Sequence, residues 1–501
     1  MSSQDALWLT MDRPNNLMVI DSLMWFGSEL DLDRVRSVVT ERLVDRFAVF
    51  SARPVQLDGD WRWEADPDFD LDRHLLTTAL PAPGGFDELR AWVGSQRSIP
   101  FDRAHPLWTA TVVTGFHPEP DVEGSAMMLR THHSLADGVR LTQVMFSLCD
   151  VEGDPVPVGK ALRRSTTPVA IATSTLKQVS SSAVDVAGSS ARTAARVAVA
   201  PAKGVARLIA DPYSVMGIPA ALREAADRAT SMVRNPARMT DAATLISTED
   251  NRPVNDVSST AKLLLAAPSV STVWSGEPGV AKSVGWAPNL SLDAVKTIGR
   301  ATGTTVNDVL LGAVSGALTR YLRGHGDDEI DEVMWMVPVS IRPFDPEETD
   351  DLGNHFALVA LRMPLGISDI TERLEEIHSR MDRIKSSDEP LITFGVQWAI
   401  SGAPRPVAKG LTNYFANKAV GVLTNVPGPR GPIGFAGTTV AGTMGWAPCS
   451  GDQVMTICIF SYNGRVSVGF GTDATLIPDA DRLGDLFNEE FDEMVAAFPA
   501  G

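Results

Sequence analysis

The segment Thr131-His132-His133-Ser134-Leu135-Ala136-Asp137-Gly138 constrains this chain more than any other. Two of only eight histidines stand side by side, with a carboxylate four residues after the second and a glycine next. The run before them, SAMMLRTHH, reads as a strand, and the run after them, GVRLTQVMFSLCD, reads as a helix. The pair therefore sits in a strand-to-helix turn. A neutral imidazole there can take a proton from an alcohol near pH 7. Asp137 is suited to hold the turn or a partner in place. Gly138 is expected to let the backbone bend where a side chain would clash.

The surrounding chain is alternating α/β. LDLDRVRSVVTERLVDRF and FDELRAWVGSQRS have helical spacing, and LWTATVVTG reads as a strand. After residue 266 the same alternation resumes. AKSVGWA is a strand, and LSLDAVKTIGRATG is a helix with Gly303 near its end. TTVNDVLLGAVSGALTRYLRGHG is a long buried helix whose Gly312 and Gly316 allow close packing. VMWMVPVS and FALVALRMPL are buried strands, and ITERLEEIHSRMDRIKSS is an amphipathic helix. TICIFSYNGRVSVGF is a hairpin turning at Asn463-Gly464, and RLGDLFNEEFDEMVAAF closes the chain as a helix. Two α/β units, residues 1–155 and 266–501, are thus expected, joined by residues 156–265. The joining segment is rich in Ala, Ser, Val and Pro.

Charge separates the joining segment from the rest. Between Lys160 and Arg238 there are 12 Lys+Arg against 4 Asp+Glu, a net +8 inside a chain of net −18. On a helix, Arg192, Arg196, Lys203 and Arg207 fall within an arc of about 60°. Pro201 would interrupt that helix. The segment is either a tethering crossover with a solvated basic face or a surface that rests on anionic lipid. The acidic total argues against nucleic-acid binding.

Cys149, Cys449 and Cys458 are too few and too widely spaced for a disulfide framework or a CxxC metal pattern. The start of the chain lacks the basic and apolar regions of a secretory signal. A reducing, cytoplasmic location is expected. No uninterrupted apolar run reaches the ~18–20 residues of a membrane span. GxSxG, Walker and dinucleotide-binding signatures are missing from the sequence, so no hydrolase elbow or nucleotide loop is indicated.

The spelling HHxxxDG is that of acyltransferases similar to chloramphenicol acetyltransferase and peptide-synthetase condensation domains. Other segments stand with it in order. They are the N-terminal SQDALWL, Pro106-Leu107-Trp108, Asn307-Asp308, Val337-Pro338-Val339-Ser340-Ile341-Arg342-Pro343, Thr424-Asn425-Val426-Pro427-Gly428-Pro429 and Ser461-Tyr462-Asn463-Gly464. Together they resemble the bacterial wax ester synthase/acyl-CoA:diacylglycerol acyltransferase family over nearly the whole chain. His105 is a minor departure, since a basic residue more often precedes PLW there.

The resemblance implies two chloramphenicol-acetyltransferase-like domains with an active-site tunnel at their interface. It implies acyl-CoA as co-substrate, no cofactor, and diacylglycerol or a long-chain alcohol as acceptor. Triacylglycerol is the first product expected, with wax esters as the second activity of the same site. A peripheral position on the inner membrane face or on lipid droplets fits those substrates. A carrier-protein-dependent acyltransferase acting on a specialised lipid or polyketide alcohol is the alternative enzyme, and a lipid-binding scaffold is the non-catalytic one.

His133 is the expected general base, acting without a covalent enzyme intermediate. The bland alternative is a hydrogen-bonded core histidine. His132 is assigned a structural role. A zinc site from His132, His133 and Asp137 finds no further ligand spacing, so no metal is expected. Asp137 either orients His133 as in a triad or, as the resemblance suggests, ion-pairs with an arginine, for which Arg342 is the candidate. Gly138 ends the turn. Asn307, Asp308, Trp108, Asn425 and Ser461 are tunnel candidates. Asn307 and Asp308 suit a helix start equally well, and Trp108 suits the scaffold. Thr424, Asn425 and Gly428 are expected to shape an interdomain loop, and Ser461 is a candidate for oxyanion stabilisation.

Overall fold

The computed structural model describes residues 1–151, 271–340, 356–386 and 405–499. The basic segment, with its candidate lipid face at residues 160–240, lies outside the described residues, as does Arg342.

The first sheet has seven strands in the order β4-β5-β6-β1-β13-β12-β7. Its centre is β1 (Val19–Phe26), which is buried at all eight positions because both faces of the sheet are covered. On one side β1 pairs antiparallel with β6 (Gly124–His132), which pairs with β5 (Trp108–Phe116), and β4 (Leu75–Ala79) runs parallel beyond. On the other side β1 pairs with β13 (Thr438–Trp446), followed by the short strands β12 (Ile433–Phe435) and β7 (Asp150–Val151). A separate hairpin, β2 (Ala52–Leu57) with β3 (Asp60–Ala65), flanks this half.

The second sheet has six strands in the order β10-β9-β11-β14-β15-β8. These are β8 (Lys282–Ser291), β9 (Glu332–Ser340), β10 (Phe356–Pro364), β11 (Gly421–Pro427), β14 (Met455–Tyr462) and β15 (Arg465–Asp473). β11 runs parallel to both β9 and β14, and the remaining pairs are antiparallel.

The two halves exchange material. The chain leaves β11 in the second sheet, supplies β12 and β13 to the first, and returns to the second at β14. The boundary expected at residue 266 therefore separates the units for most of their length but not for residues 433–446. Strands alternate their side chains between faces, so β1 splits its own. Ile20, Met24 and Phe26 join an outer core with Val35, Val39 and Leu43. Leu23 and Trp25 face the second sheet and pack with Val284, Trp286, Val426, Cys458 and Phe460. That shared core joins the sheets. Asp21 lies on the same face, buried between Arg97 (2.9 Å) and Arg130 (3.2 Å).

Helices pack around the two sheets. The first half carries α1 (Ser3–Met11), α2 (Leu32–Val39), α3 (Phe86–Gln96) and α4 (Gly138–Ser147). The second carries α5 (Leu292–Thr302), α6 (Val306–Gly324), α7 (Ile370–Ser386), α8 (Arg405–Ala416) and α9 (Ala480–Ala497). α6 is buried along nearly its whole length because its small residues admit neighbours. A Cβ at Gly312 would run into Leu374 of α7, and one at Gly316 into Glu490 of α9. Gly303 ends α5 at φ +71°, and the β14–β15 hairpin turns at Asn463 (φ +47°) and Gly464 (φ +74°), the left-handed backbone that an Asn-Gly turn supplies.

The amphipathic run from residue 30 does not form one helix. α2 stops at Val39 and a wider turn spans Thr40–Val44. Thr40 Oγ1 donates back to the Arg36 carbonyl at 2.9 Å, the kind of bond that bends a helix. Among the described residues, no helix is long and apolar enough to cross a membrane.

Candidate active site

The His-His turn is fixed by backbone bonds from three directions. β6 ends at His132, whose N–H donates to the Leu107 carbonyl (2.9 Å), so the Pro106-Leu107-Trp108 segment holds the strand end. The N–H of His133 donates to the Met18 carbonyl just before β1 (2.7 Å), and the N–H of Leu135 donates back to His132 (2.9 Å). His133 is only 6% exposed. Its ring lies 4.3 Å from the ring of Trp8 on α1 and 5.6 Å from that of Phe356 at the start of β10. Trp8, Met11, Met18 and Phe356 form a small apolar cluster, with Leu7 and Leu358 packed on it. The imidazole thus sits where the N-terminal helix and the first sheet meet the edge strand of the second.

His132 points elsewhere. Its Nδ1 accepts from the N–H of Ser134 (3.1 Å) and lies 2.8 Å from Ser134 Oγ. Its Nε2 faces Asp12 Oδ2 at 3.8 Å, longer than a hydrogen bond. Burial pushes the His132 pKa down against the pull of Asp12, which keeps the ring neutral. Burial would raise Asp12, but His132, the Met18 N–H and Arg103 together hold that carboxylate below its ordinary value.

Asp137 is the N-cap of α4. Its Oδ1 accepts from the N–H of Arg140 at 2.9 Å, and its Oδ2 lies 3.8 Å from Arg140 Nε. The proposed pairing with Arg342 falls outside the described residues. Gly138 departs from expectation. It is the first residue of α4, its φ is not positive, and a Cβ there would lie 3.7 Å from Ile20 Cδ1, an ordinary contact. No clash or bend within the fold requires glycine.

Two tunnel candidates belong to the scaffold instead. Trp108 is fully buried; its Nε1 donates to the Phe50 carbonyl (2.7 Å) and its ring is stacked on His74 (4.8 Å), leaving no surface to line a tunnel. Asp308 is also fully buried. It closes a capping box with Thr305 at the start of α6 and receives His378 Nδ1 at 2.7 Å. Asn307 keeps partial exposure, and its Oδ1 accepts from Asn425 Nδ2 of β11 at 3.0 Å. Ser461 is half-buried at the end of β14, where its carbonyl accepts from the Gly428 N–H at 2.8 Å. A Cβ at Gly428 would collide with that carbonyl, which explains the glycine in TNVPGP.

Three contributors escaped the sequence reading as site residues: Trp8, Asp12 and Phe356. Trp8 stands inside the SQDALWL segment, so a signal for it existed. Asp12 and Phe356 carry none, because nothing in either sequence neighbourhood points at the turn more than 100 residues away. The cysteines offer no nucleophile. Burial pushes Cys149 up to about 12 and Cys449 up to about 11, and it also raises Cys458. Among the described residues, no group of three or more His, Cys, Asp or Glu gathers as a metal site would need. The arrangement places the His133 imidazole in an apolar seam between the two sheets.

The wax ester synthase/diacylglycerol acyltransferase catalytic-domain model matches residues 1–310, and the WS/DGAT C-terminal-domain model matches residues 352–495. The O-acyltransferase WSD of Acinetobacter baylyi is 24% identical, over 97% of this chain and 94% of its own. A putative diacylglycerol O-acyltransferase of Mycobacterium tuberculosis is 25% identical, over 86% of this chain and 76% of its own. Among solved structures, the wax ester synthase/diacylglycerol acyltransferase of Marinobacter aquaeolei VT8 superposes with a TM-score of 0.63 at 18% identity, covering all of both chains. The first condensation domain of the calcium-dependent antibiotic synthetase superposes with 0.53 at 15% identity, covering 100% of this chain and 96% of its own. These likenesses carry the two-layer acyltransferase fold.

Proposed function

Because the chain belongs to the wax ester synthase/diacylglycerol acyltransferase family, we propose that it moves the acyl group of an acyl-CoA onto the hydroxyl of diacylglycerol, giving triacylglycerol, and onto long-chain alcohols, giving wax esters. The observation that carries this reading is the His133 imidazole, buried between Trp8 and Phe356 in the seam between the sheets.

The chemistry follows from that position. The imidazole removes the hydroxyl proton as the oxygen attacks the thioester carbonyl. The C–S bond then breaks and the proton passes to the departing CoA thiolate. Both substrates are bound together, so no enzyme-bound acyl intermediate and no cofactor are needed. Thioester to oxyester runs downhill. The apolar walls of Trp8, Met18, Phe356 and Leu358 suit lipid chains and keep out the water that would hydrolyse the thioester. Asn307, Asn425 and Ser461 remain substrate-contact candidates, with Ser461 at the oxyanion. His132, Asp137 and Arg342 support the turn. The basic residues between 160 and 240 are the candidate contact with an anionic membrane or droplet surface on the cytoplasmic side.

Purified protein given radiolabelled palmitoyl-CoA with diolein or hexadecanol should yield labelled ester resolved by thin-layer chromatography. Folded protein that makes no ester from either acceptor refutes the proposal. Flotation with anionic liposomes, with and without residues 160–240, tests the surface contact; equal flotation of both forms refutes it.

A further inference from the structure

Asp12 touches both Trp8 and Met18, two of the residues that set the place of the His133 ring, although it lies 121 positions away in the chain. It is the C-cap of α1, and its N–H donates to the carbonyl of Trp8, the residue whose ring lies on His133. Its Oδ1 accepts from the N–H of Met18 at 2.8 Å, and the Met18 carbonyl in turn accepts from the N–H of His133 at 2.7 Å. Its Oδ2 accepts from Arg103 at 3.1 Å, and the same Arg103 nitrogen donates to the Leu9 carbonyl at 2.8 Å, tying the last turn of α1 to the carboxylate. The same oxygen faces His132 Nε2.

We propose that Asp12 is a positioning residue for the acyl transfer, holding the backbone and the aromatic face of His133 in their reactive place. The proposal rests on the reading of His133 as the base.

The chemistry requires a carboxylate. Ser134 N–H donates to His132 Nδ1, so the neutral His132 ring carries its proton on Nε2, directed at Asp12. Two donors therefore occupy the two oxygens, the Met18 N–H on Oδ1 and Arg103 on Oδ2, while the His132 Nε2 edge faces Oδ2 at 3.8 Å, beyond a hydrogen bond. A side-chain amide supplies one acceptor and would set its own NH2 against Arg103 and His132. The segment between Asp12 and Met18 is itself rigid. Arg13 and Asn16 bond each other's backbone at 3.0 and 3.2 Å, and Asn16 Nδ2 reaches the carbonyls of Gly451 (2.9 Å) and Gln453 (3.0 Å). The Asp12 carboxylate closes this loop onto α1. Its loss frees Met18, and with it the anchor of His133, to move relative to Trp8.

The test compares wild type, His133→Ala, Asp12→Ala and Asp12→Asn, with palmitoyl-CoA and diolein as substrates. Asp12→Ala should lower kcat about 100-fold, as a displacement of about 1 Å does, while KM for palmitoyl-CoA stays within about threefold. Asp12→Asn keeps an acceptor for Met18 and should recover about tenfold of that loss. A destabilised fold alone would lower activity in step with the folded fraction measured by circular dichroism. Full kcat in Asp12→Ala, a loss that tracks the folded fraction, or a loss confined to KM overturns the proposal. Equal loss in Asp12→Ala and Asp12→Asn also overturns it. Ester formation that survives His133→Ala overturns the base reading itself. Loss in His133→Ala with full activity in Asp12→Ala removes only the role of Asp12.

Discussion

His74 and His133 are both buried, both adjoin strands of the first sheet, and both lie against a tryptophan. His74 stacks on Trp108 at 4.8 Å and 17°, and His133 tilts against Trp8 at 4.3 Å and 33°. The difference lies in where the partners come from. His74 Nδ1 donates to the Trp108 carbonyl at 2.8 Å, its ring also stacks with Phe69 at 5.4 Å, and burial lowers its pKa. Those partners all lie in the first half of the chain. His133 is bounded by α1, by the loop before β1 and by Phe356 of the second sheet. Burial and an aromatic neighbour therefore do not make a base. A ring enclosed within one layer serves that layer, while a ring at the junction of two layers stands where ligand sites are most often built.

The sharpest way to break this comparison is to remove each ring. His133→Ala should lower kcat by about 10³-fold with little change in thermal stability. His74→Ala should leave kcat per folded molecule within about twofold while costing about 2 kcal/mol of stability. Ester synthesis and a thermal melt on both variants decide it. A His74→Ala protein that folds fully but makes no ester would erase the distinction.

Part of that distinction was legible in the sequence. The HHSLADG turn, its strand and its helix could be read from spacing, as could the Asn463-Gly464 hairpin and the small residues of α6, because each is a local pattern. The sheet exchange was not. The segment TTVAGTMGW carries no mark in the sequence that it pairs with β1, more than 400 residues earlier. The neighbours of His133 were hidden for the same reason, since Trp8 and Phe356 meet it only through tertiary packing. Trp108 and Asp308 were marked by the resemblance as tunnel candidates. Their burial follows from bonds to Phe50 and to Thr305 and His378, which only the packed structure brings together.

The carboxylate of the same turn comes next in size. Asp137→Ala removes the cap of α4 and should cost about 1 kcal/mol, with a kcat about tenfold lower as the turn loosens. Asp137→Asn caps a helix as well as Asp does and should keep most of the activity. The comparison is sharpened if this order holds, because the turn is then held by structure around a single chemical group. Asp137→Asn as inactive as His133→Ala, in folded protein, would instead couple the Asp137 charge directly to the imidazole, and the junction would hold a dyad.

Gly138 should have the smallest effect and is informative for that reason. Its φ is not positive, and a methyl would meet Ile20 Cδ1 at 3.7 Å without strain. Alanine suits the first turn of a helix better than glycine, so Gly138→Ala should change stability by less than about 1 kcal/mol and, by the fold alone, leave kcat within about twofold. The turnover of this variant separates two reasons for a glycine. If kcat is kept, Gly138 belongs with the scaffold side of the comparison, beside His74. If kcat falls more than about tenfold while the melt is unchanged, the missing side chain leaves room that a bound substrate occupies, since nothing in the fold fills it. The junction would then extend from His133 to the N-terminus of α4, and the glycine would be part of the substrate site rather than of the turn.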